Sequence, residues 1–169
     1  MADSQEMSFI ANEVGVVKFK GIFDLSGMLR MMHSYIRHKG YDFYETTHKA
    51  KVPELELTWE CEKKVTGYEQ YKIKIDFHFF DLKQVEIEDN GEKRKMTEGR
   101  FTITFDGGVE RGFATDWGSK KDPFKAKLRD FFNKMTEKEW MVKHASALVD
   151  EVVELRDKTN SFLGMVASY

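Results

Sequence analysis

Apolar and charged residues alternate along two segments in the middle of the chain, residues 54–62 and 71–79. A period of two is typical of antiparallel strands that bury one face and leave the other in water. If the two strands are neighbours, the glutamates of the first face Lys72 and Lys74 of the second, which favours pairing. The apolar positions are Leu55, Leu57, Trp59 and Cys61 in the first segment, and Tyr71, Ile73, Ile75, Phe77 and Phe79 in the second.

A helix is predicted directly after a first strand over residues 16–23. Asp24 is a suitable N-cap, and Gly40 suits the left-handed position that follows a last helical turn. Arg37 and His38 lie in that last turn, where positive charge is favourable. The apolar residues at helical spacing are Leu25, Met28, Leu29, Met32, Tyr35 and Ile36.

Two turn signals divide the following strands. Asn90-Gly91 predicts a type I′ hairpin turn, because both central positions of that turn require positive φ. Gly107-Gly108 is expected to turn a strand over residues 101–105 into a weaker strand around 109–113. The register of this hairpin pairs opposite charges with each other and apolar residues with each other. The pairs are Glu88 with Lys93, Glu86 with Lys95, and Val85 with Met96.

The last third of the chain has helical spacing. Asp122 and Pro123 predict one helix start, and the spacing of Thr136 and Glu139 predicts a second. An apolar stripe in the first helix consists of Phe124, Leu128, Phe131, Phe132 and Met135.

A heptad seam follows in the second helix, where apolar residues alternate at steps of four and three. This seam either packs on the chain's own sheet or preceding helix, or pairs with another chain. The full series is Met141, Ala145, Leu148, Val152, Leu155, Thr159, Phe162 and Val166. The candidate self-association seam consists of Met141, Leu148, Val152, Leu155 and Phe162.

Together the elements predict an α+β fold, with a single antiparallel sheet of about five to seven strands packed against a long C-terminal helix or helix pair. The order is strand, helix, strands, helix. We expect one domain over residues 14–169, sheet-rich at 14–117 and helical at 120–166, after a polar leader at 1–13. This order resembles the helix-grip (START-like) fold, in which a curved antiparallel sheet wraps around a long C-terminal helix.

Three stretches also resemble segments of small uncharacterised proteins predicted from archaeal genomes. The stretches are residues 18–25, 59–66 and 127–132, which read KFKGIFDL, WECEKKVT and KLRDFF. The resemblance covers roughly residues 16–135. That family has no assigned activity, so the resemblance implies no functional residue.

The composition limits the classes of function. The chain has 169 residues, and 27 basic against 29 acidic side chains give a net charge of −2, which argues against a strongly basic nucleic-acid binder. A single cysteine, Cys61, excludes an internal disulfide and a cysteine-based zinc site, and favours a reducing compartment. The acidic N-terminus lacks signal-peptide features and no apolar run approaches ~20 residues, so we expect a soluble, cytoplasmic protein.

The sequence predicts no catalytic residue and neither a metal nor another cofactor. No spacing of histidines, carboxylates, glycines or serines matches a metal-binding, phosphate-binding or nucleophile motif. His78 is expected to be a solvated strand residue and Cys61 a buried apolar one. A basic cluster after Trp117 is the candidate surface for phosphates or nucleic acid. It consists of Lys120, Lys121, Lys125, Lys127 and Arg129.

These observations favour a non-enzymatic protein-interaction or assembly domain, with itself or another protein as partner. One alternative is a helix-grip-type carrier of a small apolar ligand, in which a cavity of ~300 Å³ or more lies between sheet and helix. Met28, Met32, Phe77 and Phe79 would form part of its wall. A second alternative is an accessory nucleic-acid-binding protein that uses the basic helix at 120–134.

Overall fold

The computed structural model describes residues 7–67, 69–111 and 141–164, together with single helical positions at 127, 128, 131, 134 and 139. Its strands form one antiparallel sheet of five, in the order β1-β5-β4-β3-β2, which confirms the predicted α+β class. The strands are β1 (Met7–Phe23), β2 (Asp42–Lys51), β3 (Glu54–Lys64), β4 (Glu69–Asp89) and β5 (Glu92–Arg111). Helix α1 (Leu25–His38) connects β1 to β2, and a π-helical turn (Met141–Ala145) leads into helix α2 (Ser146–Phe162).

Both helices pack on one face of the sheet, which we call the inner face. Helix α2 lies over β1 and β5. A Cβ atom at Gly107 of β5 would lie 3.4 Å from the Leu148 side chain and 3.5 Å from that of Val152, so helix and strand are in close contact. The fully buried core side chains include Met28, Met32, Ile36, Ile75, Phe77, Phe79, Ile103, Phe105, Val109, Leu148, Val152 and Leu155.

The local signals for α1 are confirmed. The Asp24 side chain accepts a hydrogen bond from the backbone N–H of Gly27 at 2.9 Å, as an N-cap does. Gly40 follows the helix with a φ of 86°, a conformation that favours glycine. Sequence signals at both ends therefore predicted this helix correctly.

The predicted strand pairings are also confirmed. Glu62 lies opposite Lys72 in the β3–β4 ladder, and the Lys72 Nζ is 3.3 Å from Glu62 Oε1. The β4–β5 hairpin turns at Asn90 and Gly91, whose φ angles are 51° and 81°. Its register contains all three expected pairs: Glu88 with Lys93, Glu86 with Lys95, and Val85 with Met96.

The turn expected at Gly107-Gly108 is wrong. Strand β5 continues through both glycines to Arg111, with Gly107 opposite Ile73 and Gly108 opposite Lys72. Gly107 lies where α2 packs on the strand, and a Cβ atom there would already be in van der Waals contact with Leu148 and Val152.

The N-terminal boundary also differs from the expectation. Strand β1 begins at Met7, inside the segment expected to be a leader, because Met7 pairs with Glu110 at the far end of β5. The helix starts expected at Asp122, Pro123 and Thr136 lie outside the described residues.

Candidate functional site

The candidate site lies on the outer face of the sheet, opposite the two helices. Side chains alternate between the two faces along a strand. In β1, Val17 is buried and Phe19 packs against the core, whereas Lys18 and Lys20 are exposed on the other face. The alternating sequence of β1 therefore places two lysines on the outer face.

Two rows of aligned residues cross the outer face from β1 through β5 to β4. In each row a lysine of β1 lies opposite a residue of β5, which lies opposite an aromatic ring of β4. We call these six residues the outer patch: Lys18, Thr102 and His78 in one row, and Lys20, Arg100 and Phe80 in the other.

The aromatic part of the outer patch consists of two nearly parallel rings. The ring centroids of His78 and Phe80 lie 6.4 Å apart, and the ring planes differ by 15°. The guanidinium carbon of Arg100 is 5.1 Å from the centre of the Phe80 ring, within cation–π distance. His78 is exposed and Phe80 is half-buried, so solvent reaches both rings.

Two surface depressions meet in the outer patch. One has a volume of about 340 Å³ and is lined by residues of β1, β4 and β5. The other, of about 350 Å³, includes Gly21, Asp81 and Gly99. Lys20 and Arg100 line both depressions. Each volume falls within the ~300–1,000 Å³ that is typical of ligand sites.

A β-bulge shapes the second depression. The β4–β5 register shifts between Phe80 and Lys83, and Asp81 within the bulge has a φ of 56°. A Cβ atom at Gly99 would lie 2.9 Å from the Leu82 side chain and 3.0 Å from the Phe80 carbonyl oxygen. A larger residue there would have to displace the Leu82 side chain or the Phe80 carbonyl, so Gly99 permits the close approach of the bulge to β5.

The cations of the outer patch differ in their partners. Among the described residues, Lys18 and Lys20 form no ion pair with a carboxylate. Arg100 Nε lies 2.9 Å from Asp81 Oδ2, but these side chains are 59% and 65% exposed, and such surface pairs contribute little stability. The patch therefore has positive charge available for a partner.

Glutamates of β3 border the outer patch on the side away from β1. His78 Nδ1 lies 3.8 Å from Glu56 Oε1. Glu60 and Glu62 continue the acidic row along the same face of β3. Along the two rows of the patch, the outer face thus changes from positive at Lys18, Lys20 and Arg100 to negative at β3, which restricts how an anionic partner can lie.

A second polar cluster lies on the inner side, where α2 approaches β3. Lys63 Nζ donates to both carboxylate oxygens of Glu151, at 2.7 and 2.9 Å. The Tyr41 hydroxyl donates to Glu151 Oε2 at 2.5 Å, and Lys63 Nζ lies 4.5 Å from the centre of the Tyr41 ring. Burial raises the pKa of the Tyr41 phenol, and the hydrogen bond to Glu151 raises it further.

A chain of three side chains extends this cluster towards β4. The Tyr71 hydroxyl lies 3.0 Å from His144 Nδ1, and His144 Nε2 lies 3.1 Å from Glu69 Oε2. Burial raises the pKa of the Tyr71 phenol, so its proton is retained at neutral pH. We call the whole cluster the inner network: Tyr41, Lys63, Glu69, Tyr71, His144 and Glu151. Its polar groups bind one another and join the C-terminal helical segment to the sheet.

Cys61 lies on the inner face, as its alternation with the glutamates predicted. Its side chain is buried. Burial raises the pKa of the thiol to about 12, so the reactive thiolate is scarce at neutral pH. The expectation of a buried apolar residue is confirmed.

Most of the predicted basic cluster lies outside the described residues: Lys120, Lys121, Lys125 and Arg129. Lys127 is described, helical and exposed. The basic cluster therefore stays a prediction.

The candidate seam is divided between different environments. Leu148, Val152 and Leu155 are buried in the core of this chain. These three residues therefore pack within the chain and not on a second copy. Phe162 is 42% exposed, and Met141 begins the π-helical turn. The buried residues present no surface to a second chain in this fold.

The residues expected to line a carrier's cavity are all in the core. Met28 and Met32 of α1 and Phe77 and Phe79 of β4 are fully buried among neighbouring side chains. Helix α2 is in close contact with the sheet at Gly107. The carrier alternative stays a prediction.

Sequence reasoning missed the outer patch. Lys18, Lys20 and Arg100 are visible as charged positions in alternating segments, and Phe80 directly follows a predicted strand. What was lacking was the pairing of β1 with β5, two strands separated by most of the sheet-forming chain. A search for exposed cations next to aromatic residues, once β1 is paired with β5, would have found them.

The described residues contain no group of three or more histidine, cysteine, aspartate or glutamate side chains placed to hold a metal ion. Neither of the two helices that the structure describes is both long and apolar enough to cross a membrane. No protein-family model matches the chain, and searches of curated proteins and of solved structures find no match either.

Proposed function

We propose that the chain is a binding domain whose outer patch holds a partner with several negative charges, such as phosphate groups. The observation that carries this proposal is the pair Lys18 and Lys20, which are exposed and have no carboxylate partner among the described residues. They line one surface depression together with Arg100 and Phe80, and its volume is large enough for a ligand.

The attraction is local, because the whole chain has a net charge of −2. Lysine and arginine that neutralise phosphates release counterions, so binding weakens as salt increases. For the three cations of the patch, we expect the logarithm of affinity to fall with the logarithm of salt with a slope of about −2.

The test uses inorganic polyphosphate, which carries phosphates without sugars or bases. The double variant Lys18→Glu with Lys20→Glu is expected to bind polyphosphate at least about tenfold more weakly than wild type at about 50 mM salt, measured by calorimetry. The matched control is Lys93→Glu with Lys95→Glu, which makes the same charge change at exposed strand positions of the hairpin. Equal losses in both variants, or wild-type protein that does not bind, would contradict the proposal.

A second candidate function is self-association through Leu128 and Phe131, two helical positions. These side chains are 44% and 62% exposed, and a separation of three residues is one at which side chains on a helix are neighbours. Burial of both against a second copy of the chain would remove this apolar surface from water.

Sedimentation velocity over a range of concentrations tests this candidate. The variant Leu128→Glu with Phe131→Glu is expected to sediment as a monomer at concentrations where wild type forms a larger species. The control is Lys127→Ala with Lys134→Ala, which changes exposed polar positions of the same segment. A wild-type protein that stays monomeric throughout would rule this candidate out.

A further inference from the structure

We infer that the outer patch binds single-stranded nucleic acid, with bases stacked on His78 and Phe80 and phosphates held by Lys18, Lys20 and Arg100. This inference rests on the proposed function and names the partner class. Polyphosphate or an acidic peptide would need only the cations. The two aromatic rings of the patch favour a nucleic acid over these partners, because bases can stack on them.

The two rings provide stacking surfaces at adjacent positions. They lie on alternate residues of β4, with centroids 6.4 Å apart and nearly parallel planes. Every base has an aromatic face, so stacking on such rings tolerates any sequence. The Arg100 guanidinium lies over the Phe80 ring, 5.1 Å from its centre, so a base that approaches this ring face stacks on the guanidinium plane or displaces it.

The partner is single-stranded because the rings lie on a broad sheet face. In a duplex the base faces are covered by neighbouring base pairs, and a sheet face cannot reach them without strand separation. An unpaired strand exposes its base faces to the protein.

The charge distribution also orients the strand. The lysines lie on β1 and the arginine on β5, whereas Glu56 of β3 lies beyond His78. Phosphates are therefore drawn over β1 and β5 and repelled from β3. Bases that extend from this backbone towards β4 meet the rings of His78 and Phe80.

The second depression offers room for the sugar-phosphate backbone of the bound strand to continue along the β-bulge. It is lined by Gly21, Gly99 and Lys83 and also by the carboxylates of Asp81 and Glu98. A phosphate there is therefore favoured only beside Lys20, Lys83 and Arg100. Because it shares Lys20 and Arg100 with the first depression, one strand can follow both.

The test compares strands that differ only in their bases. The probes are a fluorescein-labelled oligodeoxythymidylate of about ten nucleotides and a strand of the same length that has abasic sites throughout, measured by fluorescence anisotropy at about 50 mM salt. We expect the base-bearing strand to bind at least about tenfold more tightly than the abasic strand, because stacking of two bases adds to phosphate contacts. An oligouridylate of equal length distinguishes RNA from DNA, and a duplex of equal length is expected to bind no better than the abasic strand.

Substitutions locate the effect. Phe80→Leu is expected to remove most of the preference for the base-bearing strand and to leave polyphosphate binding within about twofold of wild type. The matched control is Tyr44→Leu, at an exposed aromatic position of β2, the edge strand farthest from β1, which should retain the preference. Circular dichroism shows whether each variant is folded.

The outcomes separate this inference from the proposed function. Equal affinity for base-bearing and abasic strands, both weakened by Lys18→Glu with Lys20→Glu, would overturn the inference and leave a general polyanion site. A base preference that Phe80→Leu does not reduce would also overturn it. If neither polyphosphate nor any strand binds, both the inference and the proposed function are wrong.

Discussion

The inner network and the outer patch both combine cations with aromatic rings, but the cations have different partners. In the inner network, Lys63 lies against the ring of Tyr41 and is held by both oxygens of Glu151. In the outer patch, Lys18 and Lys20 have no carboxylate partner among the described residues. A cation whose charge is already neutralised within the chain stabilises the fold, whereas an unpaired surface cation remains available to a partner.

The charged side chains of the two regions also differ in how deeply they are buried. The Lys63 and Glu151 side chains are only 19% and 21% exposed, so loss of either partner leaves a poorly solvated charge. The outer-patch lysines are in water already, and water replaces any partner that leaves. The comparison therefore predicts that substitutions in the inner network reduce stability and those in the outer patch reduce binding.

The largest effect is expected for Glu151→Ala. It removes the partner of Lys63 and the acceptor of the Tyr41 hydroxyl together. Breaking a buried ion pair costs ~3–5 kcal/mol, and partial exposure lowers the expected loss here to about 2–3 kcal/mol. Urea unfolding measures the change. The neighbouring variant Asp150→Ala, at an exposed position of α2, is expected to change stability by about 0.5 kcal/mol or less. Similar small changes in both variants would refute the structural role of the network.

Tyr41→Phe is expected to lower the free energy of unfolding by about 1–2 kcal/mol at neutral pH, as measured by urea unfolding. The loss is smaller because Glu151 loses one hydrogen bond but keeps its ion pair with Lys63.

The same variant has a characteristic pH dependence. The pKa of Tyr41 is raised in the folded chain, chiefly by burial, above the ordinary value of about 10. Above about pH 10 the unfolded chain therefore loses this proton while the folded chain keeps it, and wild-type stability falls with rising pH. Tyr41→Phe lacks the ionisable group, so its stability should fall less steeply from pH 9 to about 11. Parallel curves for the two proteins would argue against a buried, protonated Tyr41.

The smallest stability effect is expected for the outer patch. Lys18→Glu with Lys20→Glu should change the free energy of unfolding by about 0.5 kcal/mol or less for each substitution, since both side chains are exposed. Thermal unfolding of this variant and of the Lys93→Glu with Lys95→Glu control measures the difference. A loss comparable with that of Glu151→Ala would remove the distinction between the two regions.

Elements with strong local signals were predicted closely. Helix α1 lies between its predicted cap at Asp24 and the glycine at Gly40, and the Asn90-Gly91 turn has the expected positive φ angles. In both cases the deciding interactions are made by residues close together in the chain, so the pattern of residue types is sufficient.

Strand β2 and the bulge in β4 were not predicted. Residues 42–51 are mostly polar, and their strand conformation depends on pairing with β3. The bulge at Asp81 interrupts a strand that the sequence divided into two shorter segments, and it forms where Gly99 of β5 permits close approach. A partner strand decides both features, so no local pattern identifies them.

The sequence by itself determined the fold class, the inward and outward faces of the strands, the cap and C-terminal glycine of α1, and the hairpin register. Each of these follows from periodicity or from the conformational preference of a few adjacent residues. Only the tertiary structure decided that Gly107 lies beneath α2, that the seam residues Leu148 and Leu155 enter the core, and that Lys18 and Lys20 line the same depression as Phe80. These arrangements join residues separated by about forty positions or more, and their geometry depends on the pairing of β1 with β5 and the packing of α2 on both.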